Sequence, residues 1–409
     1  MGAQPSFTTL AALLAAKELS IDNFGRMFVD GLWIAIFIVT LLQIVYGYVF
    51  FRHIWRIPAQ GSASQEFVVT RDAAQPVSVV ICAHNEGPNI GDYLEDILEL
   101  DYKWTDGTPA FEVIVVDDGS TDDTWELLSV LKQNYPHLRL LQIQPGVQRA
   151  LPGKKFPLSY GIAAARHDWI ICTDADCWPA DRSWLHRMTA PLAAGKEIVA
   201  GYGGYSSPFC NTLIQFIHYE TLHTFLQYYS FAKAGLPYMA VGRNLAATKS
   251  IFLKAQEHPA WASLPSGDDD LLIQLCATAD NIEVLTHPSS FTRSPAKTSL
   301  RAYLAQKRRH VSTGKFYTPQ TKAAVGGYAL LQSLWWLLLF LGLACGLPVE
   351  AYIVLLGPVI YHAVTLRQGA AQMRERSSIV GWIAFFFCWM LYNAVLAPYI
   401  LWKSKQRWK

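Results

Sequence analysis

The chain has 409 residues, of which 52% are hydrophobic, and a mean hydropathy of +0.17. It is too long for one ordinary domain and too apolar for a purely water-soluble protein, so membrane segments are expected. A net charge of +2 gives no sign of nucleic acid as a partner, and seven cysteines without a CxxC pair fit buried thiols better than disulfides or a zinc site.

Residues 1–28 form an N-terminal segment that carries Lys17 and Glu18 and lacks a basic opening, unlike a cleavable signal peptide. A transmembrane helix is predicted at 29–51, where residues 31–51 are uncharged and about 20 residues suffice to cross a bilayer. Arg52, His53 and Arg56 follow it directly. This excess of cations places the middle of the chain in the cytoplasm, against the inner membrane face. A polar linker, 52–75, contains "IPAQGSASQE".

Strand and helix then alternate: "VSVVICA" a strand, "NIGDYLEDILEL" a helix, "FEVIVVDD" a strand, "DDTWELLSVLKQN" a helix, "WIICTDAD" a further strand. Such alternation predicts an α/β domain, here 76–295, with a mostly parallel sheet covered by helices on both faces. Ligands bind such sheets beyond the carboxyl ends of the strands. Those ends carry acids: Glu86, then Asp117 and Asp118, then Asp174 and Asp176. Adjacent acids on a buried strand repel each other and lose hydration, so a cation is expected between them. Acids cannot wrap a diphosphate directly, but they hold a divalent metal that does. The common glycine-rich and zinc-protease motifs do not occur: no GxGxxG follows the first strand, "PGVQRALPGKK" is not a P-loop, and "HYETLH" is not HExxH.

Residues 296–322 read as amphipathic interfacial helices. Lys297, Arg301, Lys307, Arg308, Arg309 and Lys315 are interleaved with Tyr303, Phe316 and Tyr317, a pattern suited to anionic lipid. The C-terminal transmembrane region, 323–402, holds uncharged stretches at 323–349 and 377–402. Between them, 351–366 contains Pro358 and His362 and reads as a marginal span or a re-entrant segment. Two spans would keep the basic tail 403–409, "KSKQRWK", inside, whereas three would send it outside.

Five motifs in order, "VSVVICAHNE", "VVDDGSTDDT", "GKKFPLSYGIAAARHDWIICTDADC", "GDDDL" and "QKRRH", resemble glycosyltransferase family 2. The likeness is to the membrane-embedded branch with cellulose, chitin and hyaluronan synthases and ceramide glucosyltransferases. It covers roughly residues 76–310 and implies the GT-A fold, a Rossmann-like sheet. The shared order is more specific than any motif alone; "DDGS" by itself is generic turn chemistry.

The resemblance implies donor-binding roles for Glu86, for Asp117 and Asp118 as the candidates for the uracil, for Lys154 at the diphosphate with Lys155 as a cation beside it, and for Asp174, Gln306 and Arg309. Asp174 and Asp176 form the DxD pair that holds Mg2+ or Mn2+, and Asp269 is the general base. Asp268, Asp270, Arg243, Asn244 and His310 lie on the acceptor side by the same likeness, with Gly242 preceding them. His310 stands where the processive synthases have tryptophan, which puts polymer synthesis in doubt. The implied activity is inverting transfer from a UDP-sugar to a lipid or lipid-linked acceptor. The other activity the likeness allows is that of a processive polysaccharide synthase that extrudes its polymer.

Overall fold

The computed structural model describes residues 7–58, 75–144, 146–262, 264, 267–375 and 379–400. Most of the expected linker and the basic tail lie outside these. The chain opens with α1 (Phe7–Val49) and a 3-10 turn (Phe51–Arg56). One helix, uninterrupted by proline, runs through the boundary drawn at residue 28.

The globular part begins with β1 (Val77–Ala83), α2 (Gly87–Leu98), β2 (Phe111–Asp117), α3 (Thr124–Asn134), β3 (Leu138–Gln142), α4 (Lys155–Ala164) and β4 (Trp169–Asp174). It continues with β5 (Trp178–Pro179), α5 (Trp184–Ala193), β6 (Ile198–Ala200), β7 (Gly203–Ser206), α6 (Thr212–Lys233), β8 (Leu245–Thr248) and α7 (Lys249–Glu257). Then come α8 (Pro259–Ala262), α9 (Asp268–Cys276), β9 (Ile282–Val284), β10 (Thr292–Pro295) and α10 (Leu300–Val311).

A seven-stranded sheet has the order β3-β2-β1-β4-β8-β6-β9, parallel except for β8, which runs against both neighbours. This is the GT-A-like architecture. A small second sheet has the order β5-β10-β7.

Both faces of the large sheet are buried, and side chains alternate between them. Val77, Val79 and Ile81 pack with Ile90 and Leu94 of α2 and Leu185 of α5. Val80 and Cys82 pack on the other face with Leu158 and Ile162 of α4 and Phe252 of α7. Continuous apolar runs such as "VSVVICA" follow from this two-sided burial.

Three helices close the chain: α11 (Pro319–Cys345), α12 (Val349–Gln372) and α13 (Ile379–Ile400). With Gly25–Val49 of α1 they make, among the described residues, four helices long and apolar enough to cross a membrane. The segment expected to be marginal is thus a full-length helix of 24 residues with Pro358 inside it. Neighbouring helices re-satisfy the backbone that proline frees in apolar surroundings. Phe37, Ile44, Leu337, Ile353, Ile360 and Val395 stay exposed, as lipid-facing side chains do. These helices indicate membrane association.

Candidate active site

Strand register brings the acids to one edge. Ala83 lies opposite Asp117 and Cys82 opposite Asp174, so β1, β2 and β4 end level. Because β8 runs antiparallel to β4, with Leu245 opposite Cys172, residues 242–244 arrive at that same edge. The Gly242 N–H donates to Asp269 Oδ2 at 2.7 Å and so ties the start of α9 to it. A Cβ at Gly242 would stand 3.3 Å from that oxygen and 3.5 Å from Asp268 Oδ2, a close approach that favours glycine.

On the β2 side, Asp117 is buried and accepts from the Ser120 N–H at 3.1 Å. Asp118 receives both arms of Arg149, at 2.7 and 2.9 Å. Burial pushes the Asp118 carboxyl above its usual pKa, and the paired guanidinium only partly offsets this. Asp122 caps the turn before α3, accepting from Thr124 Oγ1 at 2.5 Å and the Gly87 N–H at 3.1 Å. Glu86 is buried beside it and accepts from the Asn89 amide at 2.5 Å.

Lys154, at the start of α4, joins two acid groups. Its ammonium bonds Asp174 and lies 4.0 Å from Asp268 Oδ2. Burial works against that charge, but Asp174 and Asp268 overcome it and hold the Lys154 pKa well above the usual lysine value. Asp174 is correspondingly held low, burial opposing and the Lys154 charge prevailing. Lys155, expected as a second cation at the diphosphate, turns the other way. It is fully buried, donates to the Trp261 carbonyl at 2.8 Å, and burial brings its pKa down to about 8. Successive helical residues point about 100° apart, so only one lysine can face the edge.

The three acids of "GDDDL" diverge for the same reason. Asp268 faces Lys154. Asp269 accepts from Gly242 and, at 2.8 Å through Oδ1, from the Asp270 N–H. Burial, then the charge of Asp268, push its pKa up to about 6. Asp270 is buried and accepts from Thr313 Oγ1 at 2.8 Å and the Tyr317 hydroxyl at 3.3 Å.

Asp270 and Asn244, expected on the acceptor side, are therefore placed in packing instead. Asn244 is fully buried; its amide donates to the carbonyls of Tyr202 and Ser290 and accepts from the Trp184 indole at 3.1 Å. Arg243 stacks 4.6 Å from the Tyr205 ring centroid and donates to the Gly203 carbonyl. Gln306 donates to the Tyr205 hydroxyl at 3.3 Å. Arg309 feels the Asp174 charge, though burial draws its pKa below the usual arginine value. His310 is exposed.

Among the described residues, Asp174, Asp176 and Cys177 bring ligand atoms within 4.8 Å of one another. Burial and the neighbouring Asp174 raise the Asp176 pKa, an excess of negative charge that a divalent cation would relieve. The Cys177 thiol is buried and its pKa is pushed well above the usual value, so it stays protonated. Two hard carboxylates fit Mg2+ or Mn2+; the thiol does not.

Sequence reasoning missed Arg149 and Tyr205. A lone arginine in the Gly- and Pro-containing "PGVQRALPGKK" carries no signal, and "GYGGYSS" shows no periodicity that would mark Tyr205. Only the pairing of β7 with β10 puts that tyrosine beside the site.

The glycosyl transferase family 2 model matches residues 78–240. A poly-β-1,6-N-acetyl-D-glucosamine synthase of Staphylococcus aureus is 30% identical over 105 residues, which is 26% of this chain and 23% of that protein. The Staphylococcus epidermidis protein of the same name is 31% identical over 100 residues, 24% of this chain and 21% of its own length. The chain thus spans less than a quarter of the length of these curated relatives. Among solved structures, the mannosyltransferase PcManGT from Pyrobaculum calidifontis, in complex with GDP-Man and Mn2+, superimposes with a TM-score of 0.55. It is 18% identical and covers 91% of this chain and all of its own, a likeness of fold.

Proposed function

We propose that this chain, whose residues 78–240 match the glycosyl transferase family 2 model, moves a sugar from a UDP-sugar to a lipid or lipid-linked acceptor at the inner membrane face, with inversion. One observation carries the reading: Lys154 stands between Asp174 and Asp268, so one ammonium links the DxD acids to the "GDDDL" acids.

Asp117 and Asp118 would meet the uracil, and Glu86 would support that end. Asp174 and Asp176 would hold Mg2+ or Mn2+, which when bound neutralises the diphosphate and makes it a better leaving group. Asp269 takes the proton of the acceptor hydroxyl. That oxygen attacks the anomeric carbon as its bond to the diphosphate oxygen breaks, and the electron pair stays with UDP. Lys154, Gln306 and Arg309 stabilise the charge that develops there. Asp268, Arg243 and His310 border the acceptor. A pKa raised to about 6 suits a base, which must be ionised near neutrality yet basic enough to accept a proton.

The test is a screen of UDP- and GDP-sugars with purified protein in detergent, read as release of free nucleotide. Release that needs a divalent ion and a UDP-sugar supports the reading; release with GDP-sugars alone overturns the donor. The Staphylococcus relatives favour a second reading, a processive polysaccharide synthase. Product length separates the two: one organic-extractable glycolipid or a polymer.

A further inference from the structure

A cavity of about 630 Å³ opens beside Tyr205, where the globular part meets the apolar helices. That is the size of a small-molecule site. Tyr205 is a shared wall: it lines the cavity, and its hydroxyl bonds Gln306 and Arg243 at the transfer site. Trp178, next after Cys177, lines it too, and in the small sheet it pairs with Arg293.

The walls differ in chemistry. Tyr219 and Leu222 of α6 and Trp382 and Phe385 of α13 form an apolar wall, with Tyr219 ring centroids 6.0 Å from Trp382 and 5.7 Å from Phe385. Trp382 and Phe385 belong to a helix long and apolar enough to cross a membrane and are themselves buried, so this wall is the protein-facing side of that helix. Facing the small sheet is a charged group. Glu375, in the link between α12 and α13, accepts from Arg293 at 2.5 Å, the Tyr202 hydroxyl at 2.9 Å and His218 Nδ1 at 3.0 Å.

Exposure decides which charge an occupant meets. The Glu375 side chain is 5% exposed, against 20% for Arg293 and 27% for His218. The acid is withdrawn behind Arg293 and His218, and Arg374 also lines the cavity. An occupant therefore meets Arg293 and Arg374 on one side and the aromatic side of a membrane helix on the other. Charge-assisted donors of this kind select phosphate oxygens.

We propose that this cavity takes a membrane phospholipid with an anionic, hydroxyl-bearing headgroup, its phosphate at Arg293, its chains along α13 and its headgroup hydroxyl towards Tyr205. As the identity of the acceptor, this rests on the transfer reading above. As a binding site, it stands on the cavity.

The experiment uses the full chain in nanodiscs that contain phosphatidylglycerol with a photoactivatable group in its acyl chain. Parallel discs carry the phosphatidylcholine and diacylglycerol counterparts, and soluble glycerol phosphate serves as competitor. Adducts mapped by mass spectrometry should concentrate on α6 and α13, about tenfold above both control lipids. Ser206→Trp, which fills the exposed rim, and Arg293→Gln should each lower them about tenfold. Both variants should keep UDP affinity within about twofold, which reports an intact fold. Equal labelling by the three lipids overturns the proposal. So does labelling unchanged by Ser206→Trp, or competition by glycerol phosphate at the lipid's own concentration. Should the wild type bind no UDP, the transfer reading falls while the adduct map still decides the cavity.

Discussion

The parallel half of the sheet, β1 to β4, and the region from β7 to α10 that faces the membrane helices hold their charges differently. In the first, each acid stands where a buried strand ends, and level strand ends bring Asp117 and Asp174 to one edge. In the second, partners come from far along the chain. Lys307 of the basic helix α10, expected to face anionic lipid, turns inward to Glu220 of α6 at 2.5 Å. Gln306 reaches Tyr205, and Asp270 reaches Thr313 and Tyr317. Local pattern fixes position along an edge, whereas partnership depends on how distant segments dock.

This contrast can be broken or sharpened by substitution. The largest effect is expected at the proposed base: Asp269→Asn should lower kcat by about 10²–10⁴-fold while UDP affinity holds. A comparable loss of UDP affinity would move the base elsewhere. Glu220→Gln should leave Lys307 buried and unpaired and cost about 3–5 kcal/mol, read as a lowered Tm in detergent. An unchanged Tm would return α10 to the lipid-facing role first expected of it.

The lysine pair gives a finer test. Lys154→Gln should reduce kcat/KM about 10²-fold. Lys155→Met should lower stability by about 1–2 kcal/mol, through the orphaned Trp261 carbonyl, and leave donor KM within about twofold. Equal effects would erase the distinction between them. The pH profile is the mildest probe. Because the Asp269 pKa is raised to about 6, its proton returns as pH falls through that value, so kcat/KM should drop about tenfold per pH unit below it. A profile flat from pH 7 to pH 5 would exclude Asp269 as the titrating base.

The strands β1, β2 and β4 and the acids that end them were legible in the sequence, because two-sided burial writes continuous apolar runs that stop abruptly at charge. The four apolar helices were nearly as clear. Pro358 obscured α12, since a rule learned from water-exposed helices weakens where neighbouring helices supply the missing partners. Side-chain direction was not legible. Lys154 and Lys155 differ by one residue, and Asp268, Asp269 and Asp270 by one each, yet they face different partners through helical rotation and the docking of 312–317. Arg149 and Tyr205 left no trace, because each acts through a partner, Asp118 or Gln306, that only the folded chain brings near.

The central claim is that Asp174 and Asp176 hold a divalent ion against the diphosphate. Calorimetric titration of UDP into the purified protein tests it most directly, with Mn2+ and with chelator, in the wild type and in Asp176→Asn. The account predicts UDP binding with Mn2+ that weakens about 10²-fold on chelation and about as much in Asp176→Asn with Mn2+ present. The same UDP affinity in all of these conditions would contradict it.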